Sequence, residues 1–297
     1  MFWAAMRSNP RQVVTRPWAK GLTLLGLSLI VGGTPRTSLA AEASEWAGDG
    51  RSAARLVAGA AQIHQGTKFH RAGVEIRLAP GWKTYWRYPG DSGVPPHFDF
   101  AGSDNVKNVT VLWPVPQRLA DSEGVTIGYK TNVVFPLRIE AKDSAKPVTL
   151  RLKLDYAICE KLCIPVDARA ELGLTGTAQA NEGVLAEAEA RVPQAARLGQ
   201  DGELSIVSAQ RDDASSPPRI VVDVRMPASA MPELFAEGPT PGWALPVPEP
   251  VAGAAAGLQR FTFALDGLPP GANAKGAVLR LTASAGNRAI ETSYRLD

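Results

Sequence analysis

Apolar and polar residues alternate along two long runs in the middle of the chain. Every second residue is apolar in residues 148–158, and the same holds in residues 166–174. A period of two is typical of a strand with one buried face. The connection between the runs, residues 159–165, contains both cysteines of the protein, Cys159 and Cys163. The pattern therefore predicts a β-hairpin with two thiols at its turn, close enough for a disulfide bond.

Shorter alternating runs lie on both sides of this hairpin and are separated by turns rich in Gly and Pro. Before the hairpin they occupy residues 74–78, 97–100, 109–113 and 133–139, and after it residues 204–207, 220–226, 261–265, 278–281 and 290–296. One stretch rich in Ala and Glu, residues 184–192, ends before Pro193 and predicts a helix. The spacing of the strands favours an all-β chain of two immunoglobulin-like β-sandwich domains joined by a short helical linker.

Domain boundaries follow from these runs. Residues 41–60 are rich in Ala, Gly, Ser and charge without a clear period, so we expect a loosely ordered lead-in. We expect the sandwich that carries the cysteines at residues 61–177, the helical linker at 178–200 and a second, cysteine-free sandwich at 201–297.

The first forty residues have the pattern of a secretory signal peptide. Basic residues precede a short apolar run at residues 22–31, and small residues follow at Ser38 and Ala40. The run is about half the length that a membrane-spanning helix needs, so we favour cleavage near Ala40 over a membrane anchor. The segment holds five basic residues and no acid, which leaves 27 basic and 29 acidic residues in the mature chain. This balance does not support a nucleic-acid-binding protein.

Aromatic residues are concentrated between the first predicted strand and the next turn. Trp82, Trp86 and Tyr88 share one strand face, and Tyr85 lies between them in the sequence. The pattern favours core aromatics of a β-sandwich over an aromatic surface beside a binding site.

The residues alone leave three interpretations for Cys159 and Cys163. A structural disulfide would close only about five residues and contribute about 2 kcal/mol. As metal ligands, with Cu(I) as the best ion, the thiolates would need help from the three histidines, which all lie at least 62 positions away. As a redox pair, two thiols in a short turn can exchange with the disulfide of a partner protein. Spacing and export favour the redox pair.

The segment Tyr-Ala-Ile-Cys-Glu-Lys-Leu-Cys-Ile-Pro at residues 156–165 resembles the N-terminal periplasmic domain of DsbD-type thiol:disulfide interchange proteins. The resemblance is strongest to the two-domain version in the copper-sensitivity-suppressor ScsB branch, and it covers residues 61–175. It implies a periplasmic, immunoglobulin-like domain without a cofactor. The implied activity is of the protein-disulfide reductase type, and the resemblance connects it with cytochrome c biogenesis and copper tolerance.

The resemblance also implies roles for individual residues. Cys163 matches the cysteine that forms mixed disulfides, and Cys159 matches its resolving partner. The family's cap loop corresponds to residues 121–129, and its members here are Asp121, Glu123, Val125, Ile127 and Tyr129. We expect Val125 and Ile127 to cover the sulfurs, and the two acids to disfavour a nearby thiolate. The family's bulky aromatic cap residue and wider cysteine spacing are not matched.

Two functions from different classes follow. The first is a soluble periplasmic thiol:disulfide exchange protein that takes electrons from a thioredoxin-like protein or a membrane electron transporter. This donor is expected on a separate chain, and the clients would be a periplasmic disulfide isomerase or a cytochrome c maturation thioredoxin. The alternative is a non-catalytic β-sandwich that acts as a binding or scaffold module and contains a structural disulfide. No metal site and no nucleic-acid partner are expected.

Overall fold

A computed structural model of the protein describes residues 41–64, 66–90, 93–121, 124–227 and 231–297. The predicted signal peptide, residues 1–40, lies outside this part of the chain. The described residues form one compact unit. Within the described ranges, no helix is both long enough and apolar enough to cross a membrane.

The first half of the described chain forms a sandwich of two six-stranded sheets. One sheet has the strand order β1-β2-β4-β10-β7 with β3 paired to β4, and the other has the order β12-β11-β5-β9-β8 with β6 paired to β11. The strands are β1 (Ala47–Gly48), β2 (Ser52–Ala58), β3 (Gln62–His64), β4 (Thr67–Leu78), β5 (Lys83–Gly90), β6 (His97–Asp99), β7 (Val106–Val111), β8 (Gln117–Asp121), β9 (Gly124–Lys130), β10 (Val133–Ala141), β11 (Val148–Cys159) and β12 (Cys163–Leu174).

The second half forms a smaller sandwich of two four-stranded sheets, ordered β13-β20-β19-β16 and β14-β15-β18-β17. It follows helix α1 (Glu182–Ala190), the one α-helix within the described ranges. The strands are β13 (Gln194–Ala195), β14 (Ser205–Asp212), β15 (Arg219–Arg225), β16 (Pro232–Glu237), β17 (Glu249–Val251), β18 (Leu258–Ala264), β19 (Val278–Ala285) and β20 (Arg288–Arg295). The predicted all-β, immunoglobulin-like fold class is confirmed.

The long hairpin predicted from the alternating pattern is present. Strands β11 and β12 pair in register from Val148 opposite Leu174 to Cys159 opposite Cys163. Residues 150, 152, 154, 156 and 158 of β11 are all buried in the core of the first sandwich. The hydrophobic effect on this one face therefore fixes the register, because a shift by one residue would expose the whole apolar set.

The expected loosely ordered lead-in at residues 41–60 is wrong in its second part. Residues 52–58 form β2, which pairs with β4 along its whole length. Leu56 on one face lies in the main core, while Val57 on the other face is also fully buried. A strand that is buried on both faces lacks the polar alternation of a half-buried strand, which explains why the pattern was missed.

Strand β5 joins the two sandwiches. It pairs with β9 up to Tyr85 and again at Gly90, so that residues 86–89 bulge out of the sheet between these points. In the bulge, Trp86 is fully buried and contacts Phe235 of β16, with ring centroids 5.6 Å apart. The core of the first sandwich thus includes side chains from the second, and the division into two separate domains remains a prediction.

Candidate functional site

The turn of the long hairpin brings the two cysteines together. Cys159 ends β11 and Cys163 begins β12, and these two residues are direct cross-strand partners. Their Cα atoms are 4.2 Å apart, and their sulfurs form a disulfide bond. The three residues between them make the turn, with Leu162 at 79% exposure.

The two ends of the disulfide have very different surroundings. Cys159 is only 3% exposed, because it continues β11 beside β5, whereas Cys163 is an exposed residue on the edge strand of the sheet. An attacking thiolate must approach one sulfur from solvent, so exposure makes the two sulfurs unequal. The predicted roles, with Cys163 forming mixed disulfides and Cys159 resolving them, require such an asymmetry. The roles themselves stay a prediction.

Tyr85 provides the hydroxyl group next to the disulfide. It lies on β5, the neighbour of β11, where Cys159 pairs with Lys83 and Ile158 pairs with Thr84. The Tyr85 hydroxyl oxygen is 3.1 Å from Sγ of Cys159 and 2.9 Å from Sγ of Cys163. Because a disulfide sulfur carries no hydrogen, the hydroxyl is the donor to both sulfurs.

The tyrosine is held in place on several sides. Its side chain is 1% exposed and packs in a small cluster with Ala157 and Cys159, separate from the main core. The backbone at Gly93 lies against the ring, so that a Cβ added there would be 2.3 Å from Cε1 of Tyr85. Thr84, the preceding residue, donates its hydroxyl to the carbonyl of Ala157 at 2.9 Å and ties β5 to β11.

The predicted cap residues on β9 pack toward the core of the first sandwich. Strand β9 alternates, so Val125, Ile127 and Tyr129 share one face, and this face packs against the core of the first sandwich. Ile127 is fully buried there, and the Tyr129 hydroxyl donates to the carbonyl of Pro114 at 2.8 Å. The expectation that Val125 and Ile127 cover the sulfurs is therefore wrong for Ile127, because its side of β9 faces the core.

The acidic residues of the predicted cap are Asp121 and Glu123. Glu123 lies outside the described residues. Asp121 ends β8, where its backbone pairs with Gly124, and its side chain is also outside the description. The predicted electrostatic effect of these two acids on the thiolates stays a prediction.

The aromatic cluster between residues 82 and 88 divides by strand face. Trp86 and Tyr88 belong to the main core and Trp82 packs against it, so the interpretation as core aromatics is confirmed for these three. Tyr85 has the opposite parity and faces the disulfide. The opposite parity of Tyr85 is the sequence signal that could have set it apart from the core aromatics. The sequence did not show that β5 would lie beside β11.

A metal centre gains no support from the described geometry. Both sulfurs are used in the disulfide. Among the residues that the structure describes, no group of three or more His, Cys, Asp or Glu side chains is arranged to hold a metal ion.

Comparison with known proteins gives two findings. Residues 54–175 match the family described as "Thiol:disulfide interchange protein DsbD, N-terminal". The fold is similar to the crystal structure of the N-terminal periplasmic domain of ScsB from Proteus mirabilis, with a TM-score of 0.66 and 23% sequence identity. The similarity covers 86% of this chain and 98% of the ScsB domain. A search of curated protein sequences gives no match.

The matched segment begins inside β2 and ends just after β12. It therefore contains the complete cysteine hairpin, together with β5 and Tyr85. The family match thus coincides with the sandwich that carries the disulfide, while the similarity in fold to the ScsB domain extends into the second sandwich. Residues 54–175 of this chain, which hold the cysteine hairpin, are therefore similar to the N-terminal domain of DsbD.

Proposed function

We propose that this protein is a periplasmic thiol:disulfide exchange protein that relays reducing equivalents to oxidised client proteins. The observation that carries the proposal is the asymmetric disulfide, with Cys163 exposed and Cys159 buried beside a hydroxyl donor. The match of residues 54–175 to the DsbD N-terminal family supports the same chemistry.

The relay consists of two exchange reactions at Cys163. In the first, a thiolate of the donor attacks Sγ of Cys163, a bond forms between these sulfurs, and Cys159 leaves as a thiolate. A second donor thiol then releases Cys163, so the donor becomes a disulfide and the cysteine pair becomes a dithiol. In the second reaction, the Cys163 thiolate attacks a client disulfide, and Cys159 then attacks Cys163 to expel the reduced client. The cysteine pair returns to the disulfide, and two electrons have passed to the client.

A purely structural disulfide is less well supported by the geometry. The bond joins two residues that are already direct cross-strand partners at the end of a fully paired hairpin. Closing so short a loop contributes about 2 kcal/mol in the loop-entropy model, less than bridges over long loops. A structural bridge would also gain nothing from one exposed sulfur.

The family relationship supports thioredoxin-like proteins as partners. We propose that the donor is such a protein or a membrane electron transporter. A periplasmic disulfide isomerase or a cytochrome c maturation thioredoxin would be the client. The periplasm as the compartment is supported by the ScsB match, which is a periplasmic domain, and by the signal-like pattern at the N-terminus.

Trapping of the mixed disulfide tests this function. A Cys159→Ala variant, incubated with an oxidised thioredoxin-like protein, should accumulate a covalent complex through Cys163, because the resolving thiol is missing. The matched Cys163→Ala variant should give much less complex, since its remaining thiol is buried. Non-reducing electrophoresis and mass spectrometry measure both. Equal trapping by the two variants, or none by either, would favour a scaffold with a structural disulfide.

A further inference from the structure

The hydroxyl group of Tyr85 is positioned to act in the exchange reaction itself. We propose that Tyr85 is a catalytic residue, whose hydroxyl stabilises the Cys159 sulfur as it leaves the disulfide as a thiolate. This role rests on the function proposed above. It adds to that function the group that stabilises the buried Cys159 sulfur when it leaves as a thiolate.

The need for such a group follows from burial. At 3% exposure, Cys159 cannot be hydrated by bulk water when it becomes charged. Charge in an apolar setting is costly unless a hydrogen bond or an opposite charge compensates for it. In the described part of the chain, the Tyr85 hydroxyl is the hydrogen-bond donor found at this sulfur, at 3.1 Å.

The contact is of the kind that grows stronger during the reaction. In the disulfide, one hydroxyl proton is shared between Sγ of Cys159 and Sγ of Cys163, which are weak acceptors. When an external thiolate attacks Cys163, a new sulfur–sulfur bond forms there and the bond to Cys159 breaks. The electron pair of the broken bond goes to Cys159. The hydroxyl keeps its proton and directs its whole hydrogen bond to the new thiolate, so it stabilises the transition state more than the ground state.

The hydroxyl needs no rearrangement to do this. The Tyr85 ring is fixed by burial, by its contact with Ala157 and Cys159, and by the backbone of Gly93. A donor that is already oriented costs no reorganisation when the charge appears. The same hydrogen bond would favour the thiolate of Cys159 in the reduced protein, and would prepare it to resolve a mixed disulfide.

The rate of disulfide reduction by dithiothreitol tests the role of Tyr85. Tyr85→Phe keeps the ring and removes the hydroxyl, and we expect reduction to slow by about ten- to hundredfold, the effect of one hydrogen bond to a charged group. Tyr88→Phe is the matched control, because Tyr88 is a buried residue of the same strand whose hydroxyl donates to the carbonyl of Leu245. Its rate should stay within about threefold of wild type, since its hydroxyl donates away from the sulfurs. Equal rates for the two variants would overturn the proposal.

Titration of the Cys159 thiol gives a second measurement. Its result would not change if Tyr85 had only a structural role. In a Cys163→Ser background, we expect Tyr85→Phe to raise the pKa of the Cys159 thiol by about one unit or more, measured from thiolate absorbance. An unchanged pKa would contradict the proposal. Should Tyr85→Phe not fold, incorporation of 3-fluorotyrosine into the wild-type chain makes the hydroxyl a stronger donor. Reduction should then become faster, and a rate that is unchanged or slower would contradict the role.

These outcomes are separable from those of the proposed function. Dithiothreitol reacts with an accessible disulfide whether or not a protein partner exists. Failure of the trapping experiment would therefore remove the relay and leave the rate effect of Tyr85 measurable. Equal rates for Tyr85→Phe and Tyr88→Phe would remove the role of Tyr85 and leave trapping through Cys163 intact.

Discussion

Arg87 is the cation that joins β5 to the second sandwich, and replacing it by Met should loosen that junction. Its guanidinium donates to both carboxylate oxygens of Glu237, at 2.8 and 2.7 Å, and also to Glu291. It lies over the ring of Trp86, 4.3 Å from the ring centroid. Arg87→Met keeps much of the apolar stem but leaves two carboxylates facing each other without this cation.

The size of the effect follows from how little water reaches the group. The side chains of Arg87, Glu237 and Glu291 are 18%, 12% and 29% exposed. Removing one partner of a buried ion pair costs about 3–5 kcal/mol, because a charge stays buried without compensation. Glu291 can be partly hydrated and has Arg280 at 3.5 Å, so the stranded charge is mainly that of Glu237. We therefore expect a loss of about 3 kcal/mol, at the lower end of that range.

Urea unfolding followed by tryptophan fluorescence measures this loss, provided that the m value is unchanged. The double variant Arg87→Met/Glu237→Gln should recover part of it, since the stranded charge is removed as well. Arg225→Met is a matched control, because its partner Asp201 is fully exposed, and such surface pairs contribute at most about 1 kcal/mol. A loss for Arg87→Met no larger than for Arg225→Met would refute the reasoning.

Two further predictions concern Tyr85 and the half-buried His70. Gly93→Ala places a Cβ 2.3 Å from the Tyr85 ring, so we expect the hydroxyl to move off the sulfurs and reduction by dithiothreitol to slow severalfold, whereas Gly50→Ala, which meets only open space, should leave the rate unchanged. Burial lowers the pKa of His70 below 6.5, so on acidification the unfolded chain takes up this proton before the folded chain does. Stability should therefore fall as the pH drops below 6.5, and urea midpoints should show a smaller fall for His70→Gln.

The sequence was most informative where one face of a strand is buried and the other is not. The alternation in residues 148–158 predicted β11, its core face and the position of both cysteines, because period and burial coincide there. The same reasoning failed for β2, which is buried on both faces and rich in Ala. It also misplaced Ile127, since an alternating pattern identifies an apolar face without showing what that face contacts.

Tyr85 shows what the local sequence pattern could not predict. Its parity set it apart from Trp86 and Tyr88, but a role at the sulfurs depends on β5 lying next to β11. That pairing joins residues more than seventy positions apart in the chain. Local patterns carry no information about such a long-range contact, and the tyrosine became a candidate only once the sheet order was known.

The reduction potential of the Cys159–Cys163 couple tests the central claim most directly. A relay must be able both to accept electrons from a donor dithiol and to pass them to a client disulfide, so its potential has to lie among those of exchange proteins. Equilibration with dithiothreitol redox buffers, followed by alkylation and mass spectrometry, gives the value. We expect a potential between about −180 and −270 mV. A potential below about −300 mV, which is typical of structural disulfides, would contradict the relay.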